Sequence, residues 1–445
     1  MSFFIKNKPN KKPKLQEDDE EVTSTEEEDE DVGSILNDDT YDYPQEGVNE
    51  TAQEKKLRLA KIYLEEIVKE ESARLEQKEE YLNGEVISER LKLDYLKQVG
   101  KLKVLVADEY IGADVDNIKV LNTKEHKKTI TCLCLSSNNE YMYTGSKDGS
   151  IVKWSLLEYK KVGCIPFQKN NQEKFKGHTK QILCMTLSSD DKYMIVGDAT
   201  AIIQVWNPFN LEHIGSLKGH RDLVTGLICR RDTHTLYSCS NDRSIKVWAL
   251  DEMSYVETLY GHQDKITSID VLSKERPITS GGRDASIRIW KIVEESQLIY
   301  NCHSGCIDVV RLVNEGHFIS GGDDGNICVW TVSKKKPLYT VTEAHGCDST
   351  NSQPNWITSL TSLINTDLIA SGSNDGHIRL WKLENGFRKI TLLFSIEVKG
   401  FVNNLTFTSD GKYLLAGIGN EHRLGRWSVI KNAKNGIVIV PLNKK

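Results

Sequence analysis

Aspartate, histidine and a hydroxyl residue recur together five times in this chain of 445 residues, at matched spacing. Asp148, Asp242, Asp284, Asp324 and Asp375 each stand six residues before a tryptophan: Trp154, Trp248, Trp290, Trp330 and Trp381. Ten residues before the same tryptophans stand Thr144, Ser238, Ser280, Ser320 and Ser371, and each unit opens with a histidine: His126, His220, His262, His303 or His345. A single Ser-His-Asp set is the equipment of a nucleophilic relay, in which a base activates a hydroxyl and a carboxylate orients the base. Five copies argue for a structural device instead, because an enzyme needs one such set. An Asp held in a tight turn can take protons from a histidine and from backbone amides, and a hydroxyl can accept from the histidine and from an indole N–H. Completed, such a chain satisfies polar groups that would be costly to bury alone.

The elements that must position these groups are short strands. Seven apolar stretches run into a tryptophan and stop, at Trp154, Trp206, Trp248, Trp290, Trp330, Trp381 and Trp427. The gaps are 52, 42, 42, 40, 51 and 46 residues. That period, with Gly-His at one end and a strand-ending Trp at the other, marks blades of four strands. The pattern resembles the WD-repeat family, in which these residue types form a buried chain from Asp to His to hydroxyl to Trp. The fold class is therefore all-β: a seven-bladed WD40-type β-propeller over residues 113–445. Two units break the pattern. The second keeps His178 but has Val196 and Thr200 in the hydroxyl and Asp positions, and the seventh has Gly417 and Glu421 and no opening His near Gly400. No Asp follows any of the seven tryptophans, so no W-D-x-R signal for adaptor docking is present. Trp356, in PNWITSL, lies outside the period and reads as a core aromatic at the start of a sixth-blade inner strand. For ring closure the N-terminal stretch 117–121 is the preferred outer strand of the last blade. Residues 436–442 could serve instead or add beside it.

Ahead of the blades lie two other regions. Residues 1–48 read as a disordered tail. Five lysines (Lys6, Lys8, Lys11, Lys12, Lys14) suit nuclear import, and eleven carboxylates in residues 17–31 repel one another. Residues 1–50 carry five Lys and sixteen Asp or Glu, so the overall charge of −6 conceals a mildly basic body. Residues 49–112 read as a helical arm. Thr51 and Glu54 form a capping box ahead of a stripe of Leu57, Ala60, Leu64, Ile67 and Val68, and a second helix is expected from about Glu85 to Ala107 with Gly100 weakening it. No apolar run approaches the roughly 18 residues of a membrane span, and the N-terminus lacks a secretory core. The ten cysteines show no CxxC pair, and most read as small buried hydrophobes. No metal, cofactor or small-molecule substrate is called for, and no catalytic residue.

The side chains beside the His and Asp turns should ring the channel on one face. They include Lys127, Lys128, Lys147, Lys180, Arg221, Arg243, Lys265 and Arg283, with His422, Arg423 and Arg426 from the seventh blade. Arginine forks and lysines gathered on one face suit an anionic partner. Further clusters are Lys160, Lys161, Lys169, Lys174 and Lys176, and Lys334, Lys335 and Lys336.

The stretches NETAQEKKLRLAKIYLE (49–65), GHRDLVTGL (219–227), SYVETLYGHQD (254–264), GGRDASIRIWKIVEESQL (281–298) and EHRLGRWSVIKNAKNGIVIVPL (421–442) resemble the U3 small nucleolar RNA-interacting protein family. Its members are WD-repeat subunits of the U3 ribonucleoprotein. The resemblance implies a non-enzymatic nucleolar role and binding to the box B/C motif of U3 RNA beside a kink-turn-binding protein and other box C/D particle proteins. It also implies a place in the small-subunit processome, supporting early precursor-rRNA cleavages for 18S rRNA. On that reading RNA meets Arg221, Arg243, Arg283 and Arg423, and the arm adds Lys55, Lys56 and Arg58. A protein-only scaffold in another nuclear complex is the alternative.

Overall fold

Small β-branched and aliphatic residues alternate along each strand, and in the computed structural model these strands fold into seven antiparallel sheets arranged as blades. The structure describes residues 52–76, 84–99, 102–122, 124–169, 177–301, 303–348, 352–384, 386–425 and 428–445. The acidic tail and the Thr51 cap lie outside them.

Blades one to six each use four consecutive strands. Blade three, for example, runs Val224–Cys229, Thr235–Ser240, Ser244–Ala249 and Ser254–Tyr260. Blade seven is built differently. Its first three strands are Phe401–Phe407, Tyr413–Gly419 and Gly436–Lys444, and its outer edge comes from the other end of the chain. There β1 (Tyr110–Ala113) and β2 (Lys119–Leu121) both pair with Gly436–Lys444, with Ala113 opposite Leu442 and Lys119 opposite Ile439. The N-terminal latch is therefore the one used. Gly436–Lys444 is the third strand, in the place expected for RLGRW and Trp427. GIVIV is the stretch apolar enough to be buried on both faces, with all five residues enclosed. Residues 420–435 become a long connection, and Trp427 lies outside the described residues. The propeller sheet also begins at Tyr110, a little before residue 113.

A hydrophobic cluster fills each seam between neighbouring blades; that between blades three and four gathers Tyr237, Ile245, Ile266, Ile269 and Trp290. The innermost strand of every blade carries a one-residue irregularity at the same place, which re-aims one side chain toward the channel. The seven residues so placed are Thr131, Leu183, Thr225, Thr267, Asp308, Thr358 and Asn403. Four of them are threonines, and each donates its hydroxyl to a carbonyl of the next blade: Thr131 to Ile182 (2.8 Å), Thr225 to Ile266 (2.6 Å), Thr267 to Ile307 (2.6 Å) and Thr358 to Val402 (2.7 Å). Asn403 closes the circle by donating its amide to the Ile130 carbonyl at 3.2 Å. Leu183 and Asp308 interrupt this lacing, the first because it has no polar atom and the second because an ionised carboxylate cannot donate.

The arm comprises α1 (Ala52–Glu76) and α2 (Gly84–Val99). Of the expected stripe Ile67 is buried, while Leu57 and Leu64 remain 58% and 40% exposed. The Tyr63 hydroxyl donates to Asp94 across the two helices at 3.3 Å. The second helix stops at Val99 and does not continue to Ala107. Beyond Gly100 the backbone finds partners on blade six instead: Val104 N–H donates to the Asn365 carbonyl, and the Val106 and Ala107 amides both donate to Asp367. These blade-six contacts lie at the turn joining its first two strands, on the face opposite the His and Asp turns.

Candidate nucleic-acid interface

The recurring polar sets come first, because they hold the loops of the face. In blade three the chain is complete. The His220 ring nitrogens lie 2.9 Å from Asp242 and 2.8 Å from Ser238, and the Trp248 indole donates to the same Ser238 oxygen at 2.8 Å. One proton arrangement satisfies all three: indole N–H to hydroxyl, hydroxyl to His Nε2, His Nδ1–H to carboxylate. Blades five and six repeat the geometry with His303, Ser320, Trp330 and Asp324, and with His345, Ser371, Trp381 and Asp375.

Two sets depart from the expected membership. In blade four the hydroxyl is Thr279, one residue before Ser280; it lies 2.8 Å from His262 and 2.9 Å from the Trp290 indole. One extra residue in the Gly281–Asp284 turn, relative to blade three, shifts the register, and Ser280 instead meets the Thr267 hydroxyl at 2.8 Å. Asp284 still holds His262 at 2.8 Å. In blade one Ser150 stands between the partners. It lies 2.8 Å from His126 and donates to Asp148 at 2.5 Å, while Thr144 takes the Trp154 indole at 3.0 Å. Blade two has a carboxylate after all: Asp198, two residues before Thr200, holds His178 at 2.9 Å. Spacing from Trp206 did not reveal it, because it sits in the strand rather than in the turn.

Four of these carboxylates, Asp242, Asp284, Asp324 and Asp375, are held below the ordinary range. Burial pushes Asp242 up, but the hydrogen bonds from His220 and Ser244 and the Arg221 amide outweigh it, leaving the group well below the usual range. Asp284, Asp324 and Asp375 are lowered on the same balance, with their histidines the main opposing partners. His345 is lowered by its burial. The sets are enclosed and engaged, so they supply rigidity and offer no reactive group to solvent.

What they position is the loop surface. Arg221 N–H donates to Asp242, Arg283 N–H to Asp264, and Gly282 N–H to the Lys265 carbonyl, so the two loops of each blade are tied together on one face. The side chains of Lys127, Lys128, Lys180, Arg221, Arg243, Lys265 and Arg283 are exposed there. They occupy blades one to four only. Blade five has Gly305 and Asp323 at the corresponding positions, and Asp222 and Asp264 stand among the cations. The feature is an arc, where a ring was expected.

Lys147, His422 and Arg423, expected on that surface, lie in the channel mouth instead. Lys147 is turned inward, its ammonium 3.3 Å from the buried Glu421 carboxylate and near the carbonyls of His422 and Gly425. Arg423 enters the channel, where its guanidinium donates to the Asp308 carbonyl at 3.2 Å and its amide donates to Asn403. Burial lowers its pKa, with Asp308 opposing. Arg426 lies outside the described residues. The connection 420–435 thus dips into the channel mouth, and the His422 ring stacks on Trp356 with centroids 5.2 Å apart. Trp356 is half-buried and belongs to this mouth rather than to the core. Lys334, Lys335 and Lys336 sit on a turn of the opposite face, Lys161 pairs with Glu125 at the outer edge of blade one, and Lys174 and Lys176 are outside the described residues. Lys55, Lys56 and Arg58 are exposed on α1.

Comparison with known proteins gives four findings. The WD domain, G-beta repeat family matches residues 118–155, 169–207, 211–249, 253–291, 294–331 and 336–382, which leaves the three C-terminal strands of blade seven outside its six repeats. The chain is 50% identical over 400 residues to human U3 small nucleolar RNA-interacting protein 2, covering 89% of this chain and 83% of that one. It is 29% identical over 543 residues to Ribosomal RNA-processing protein 9 of Saccharomyces cerevisiae, covering 94% of each. Among solved structures, one titled "Crystal structure of RRP9 WD40 repeats" superposes with a TM-score of 0.72 at 46% identity, covering 75% of this chain and 100% of that one.

Proposed function

The chain belongs to the WD-repeat family of U3 small nucleolar RNA-interacting proteins, and from that premise we propose that it is a non-enzymatic, RNA-binding subunit of the U3 ribonucleoprotein in the nucleolus. Its RNA target is the box B/C motif of U3, met beside the kink-turn-binding protein and the other box C/D particle proteins. Within the small-subunit processome it supports early cleavages toward 18S rRNA. One observation carries the reading: the basic arc of Lys127, Lys128, Lys180, Arg221, Arg243, Lys265 and Arg283, solvent-exposed on a face whose backbone is locked by the His–Asp sets. A fixed backbone frame spares the loops the cost of ordering on meeting a phosphate backbone, and arginine forks add base-edge contacts. The segment after α2 is anchored on the other face, so the arm cations Lys55, Lys56 and Arg58 serve a second contact distinct from the arc.

The test is a triple substitution, Arg221→Ala, Arg243→Ala and Arg283→Ala, in the full chain. The expected result is at least a tenfold loss of box B/C RNA affinity in a mobility-shift titration, with the melting temperature nearly unchanged, because none of the three side chains holds the fold. Unaltered affinity removes the arc as the RNA surface. A protein-only scaffold in another nuclear complex is the second reading, favoured by the acidic Asp222, Asp264 and Asp323 on the same face. Crosslinking to cellular RNA separates the two: a U3-dominated profile supports the first, and no RNA above background supports the second.

A further inference from the structure

The channel mouth holds more positive charge than the fold uses. Lys147 is matched by Glu421, but Arg423 and Lys265 both border a cavity of about 120 Å³ between blades three and four and the 420–435 connection. The cavity is also lined by Thr225, Asn241, Thr267 and Leu424. Arg423 is held from two sides: its amide donates to Asn403 and one terminal nitrogen donates to the Asp308 carbonyl. Its Nε is buried and has no hydrogen-bond partner. An enclosed guanidinium N–H left unmatched is costly, and it is a donor waiting for an anion. The local potential agrees. Burial is the main reason His422 is pushed down to about 3, and the nearby charges of Arg423, Lys147 and Lys265 add to it. Asp308, on the blade-five strand whose carbonyl Arg423 already engages, is the carboxylate whose charge opposes both Arg423 and Lys265.

We propose that this cavity is a binding site for a single phosphoryl group. The size is right: one water needs only about 10–15 Å³ in this measure, so the cavity takes a tetrahedral oxyanion. The donors also fit: Arg423, Lys265 and Asn241 line the cavity, while the Thr225 and Thr267 hydroxyls beside them spend their protons on the Ile266 and Ile307 carbonyls. The phosphoryl group comes either from an RNA backbone reaching into the mouth or from a free ion, and the site does not depend on the arc reading above.

Thermal denaturation of the full chain with increasing inorganic phosphate, at ionic strength held constant with potassium chloride, tests it. The expected result is a melting temperature that rises and saturates with phosphate. Lys265→Gln should abolish that rise while leaving the melting temperature in chloride nearly unchanged, since Lys265 is exposed and its side chain makes no hydrogen bond or ion pair among the described residues. In a second arm, phosphate is added to the complex with box B/C RNA. Weakened RNA binding beyond the chloride control assigns the site to an RNA phosphate, and unchanged binding assigns it to the free ion. A melting curve that responds to phosphate no more than to chloride, or responds equally in Lys265→Gln, overturns the proposal. The triple-arginine variant keeps the cavity, so failure of the arc and failure of the cavity are read separately.

Discussion

Replacing Asp308 by Asn should make the propeller more stable at neutral pH and leave it unchanged in acid. Asp308 occupies the position at which four other blades place a threonine that donates to the neighbouring blade, and blade seven places Asn403, which donates through its amide. A carboxylate there breaks the lacing between blades five and six. Burial raises its pKa to about 6, against the favourable charge of Arg423 and with the unfavourable charge of Asp323. The folded protein therefore holds this proton more tightly than the unfolded chain, and stability attributable to the group falls as pH rises from about 4 to about 6. A shift of about two units corresponds to about 3 kcal/mol lost above pH 6. The amide approximates the protonated carboxyl, so the influence of Arg423 is already contained in that difference. A new hydrogen bond to blade six would add about 1 kcal/mol. Thermal melts of parent and Asp308→Asn at pH 8 and pH 4.5 give the comparison, with a gain of several degrees at pH 8 that shrinks toward zero at pH 4.5. A variant no more stable than the parent at pH 8, or a gap that does not depend on pH, would refute both the raised pKa and the lacing.

Two further substitutions probe the polar sets and the channel connection. Thr279→Val should cost about 2–3 kcal/mol, because His262 and the Trp290 indole both lose their partner, whereas Ser280→Ala should cost well under half of that; chemical denaturation of the two side by side decides which residue carries the set. Lys147→Met should destabilise by about 2 kcal/mol, since it removes an ammonium that meets the Glu421 carboxylate and the His422 and Gly425 carbonyls, and should speed proteolytic cleavage within residues 421–425; equal cleavage rates would show that Lys147 does not anchor the connection.

The blade count and the five polar sets were legible because they repeat. A tryptophan that ends a strand, an Asp in the turn before it and a His opening the unit are local signals, and repetition at one period separates them from chance. What stayed hidden depends on events that periodicity cannot register. One extra residue in the Gly281–Asp284 turn moved the hydroxyl from Ser280 to Thr279. In blade two the carboxylate moved from turn to strand, so spacing pointed at Thr200 while Asp198 held the histidine. In blade seven RLGRW mimics a strand-ending tryptophan, yet GIVIV is the stretch that can be enclosed on both faces. The exposed members of the basic arc followed from their place beside the turns. The inward paths of Lys147 and Arg423 did not, because both are set by the connection 420–435 descending into the channel, and its buried carboxylate and carbonyl partners are distant in sequence.

The seventh blade, woven from both ends of the chain, governs when the molecule can exist at all. Six blades can form as synthesis proceeds, each from its own consecutive strands. The last sheet cannot, because β1 and β2 must wait, unpaired, for Gly436–Lys444 to arrive. Until then the nascent chain is an open horseshoe with a bare edge at blade one and Tyr110 without its shelter. An unclosed edge of this kind is a hazard for aggregation and a natural client for chaperones. Closure then acts as a checkpoint on completeness: the Thr and Asn lacing around the channel and the cation-lined mouth come into being together, and only in a chain that has been translated through its final strand.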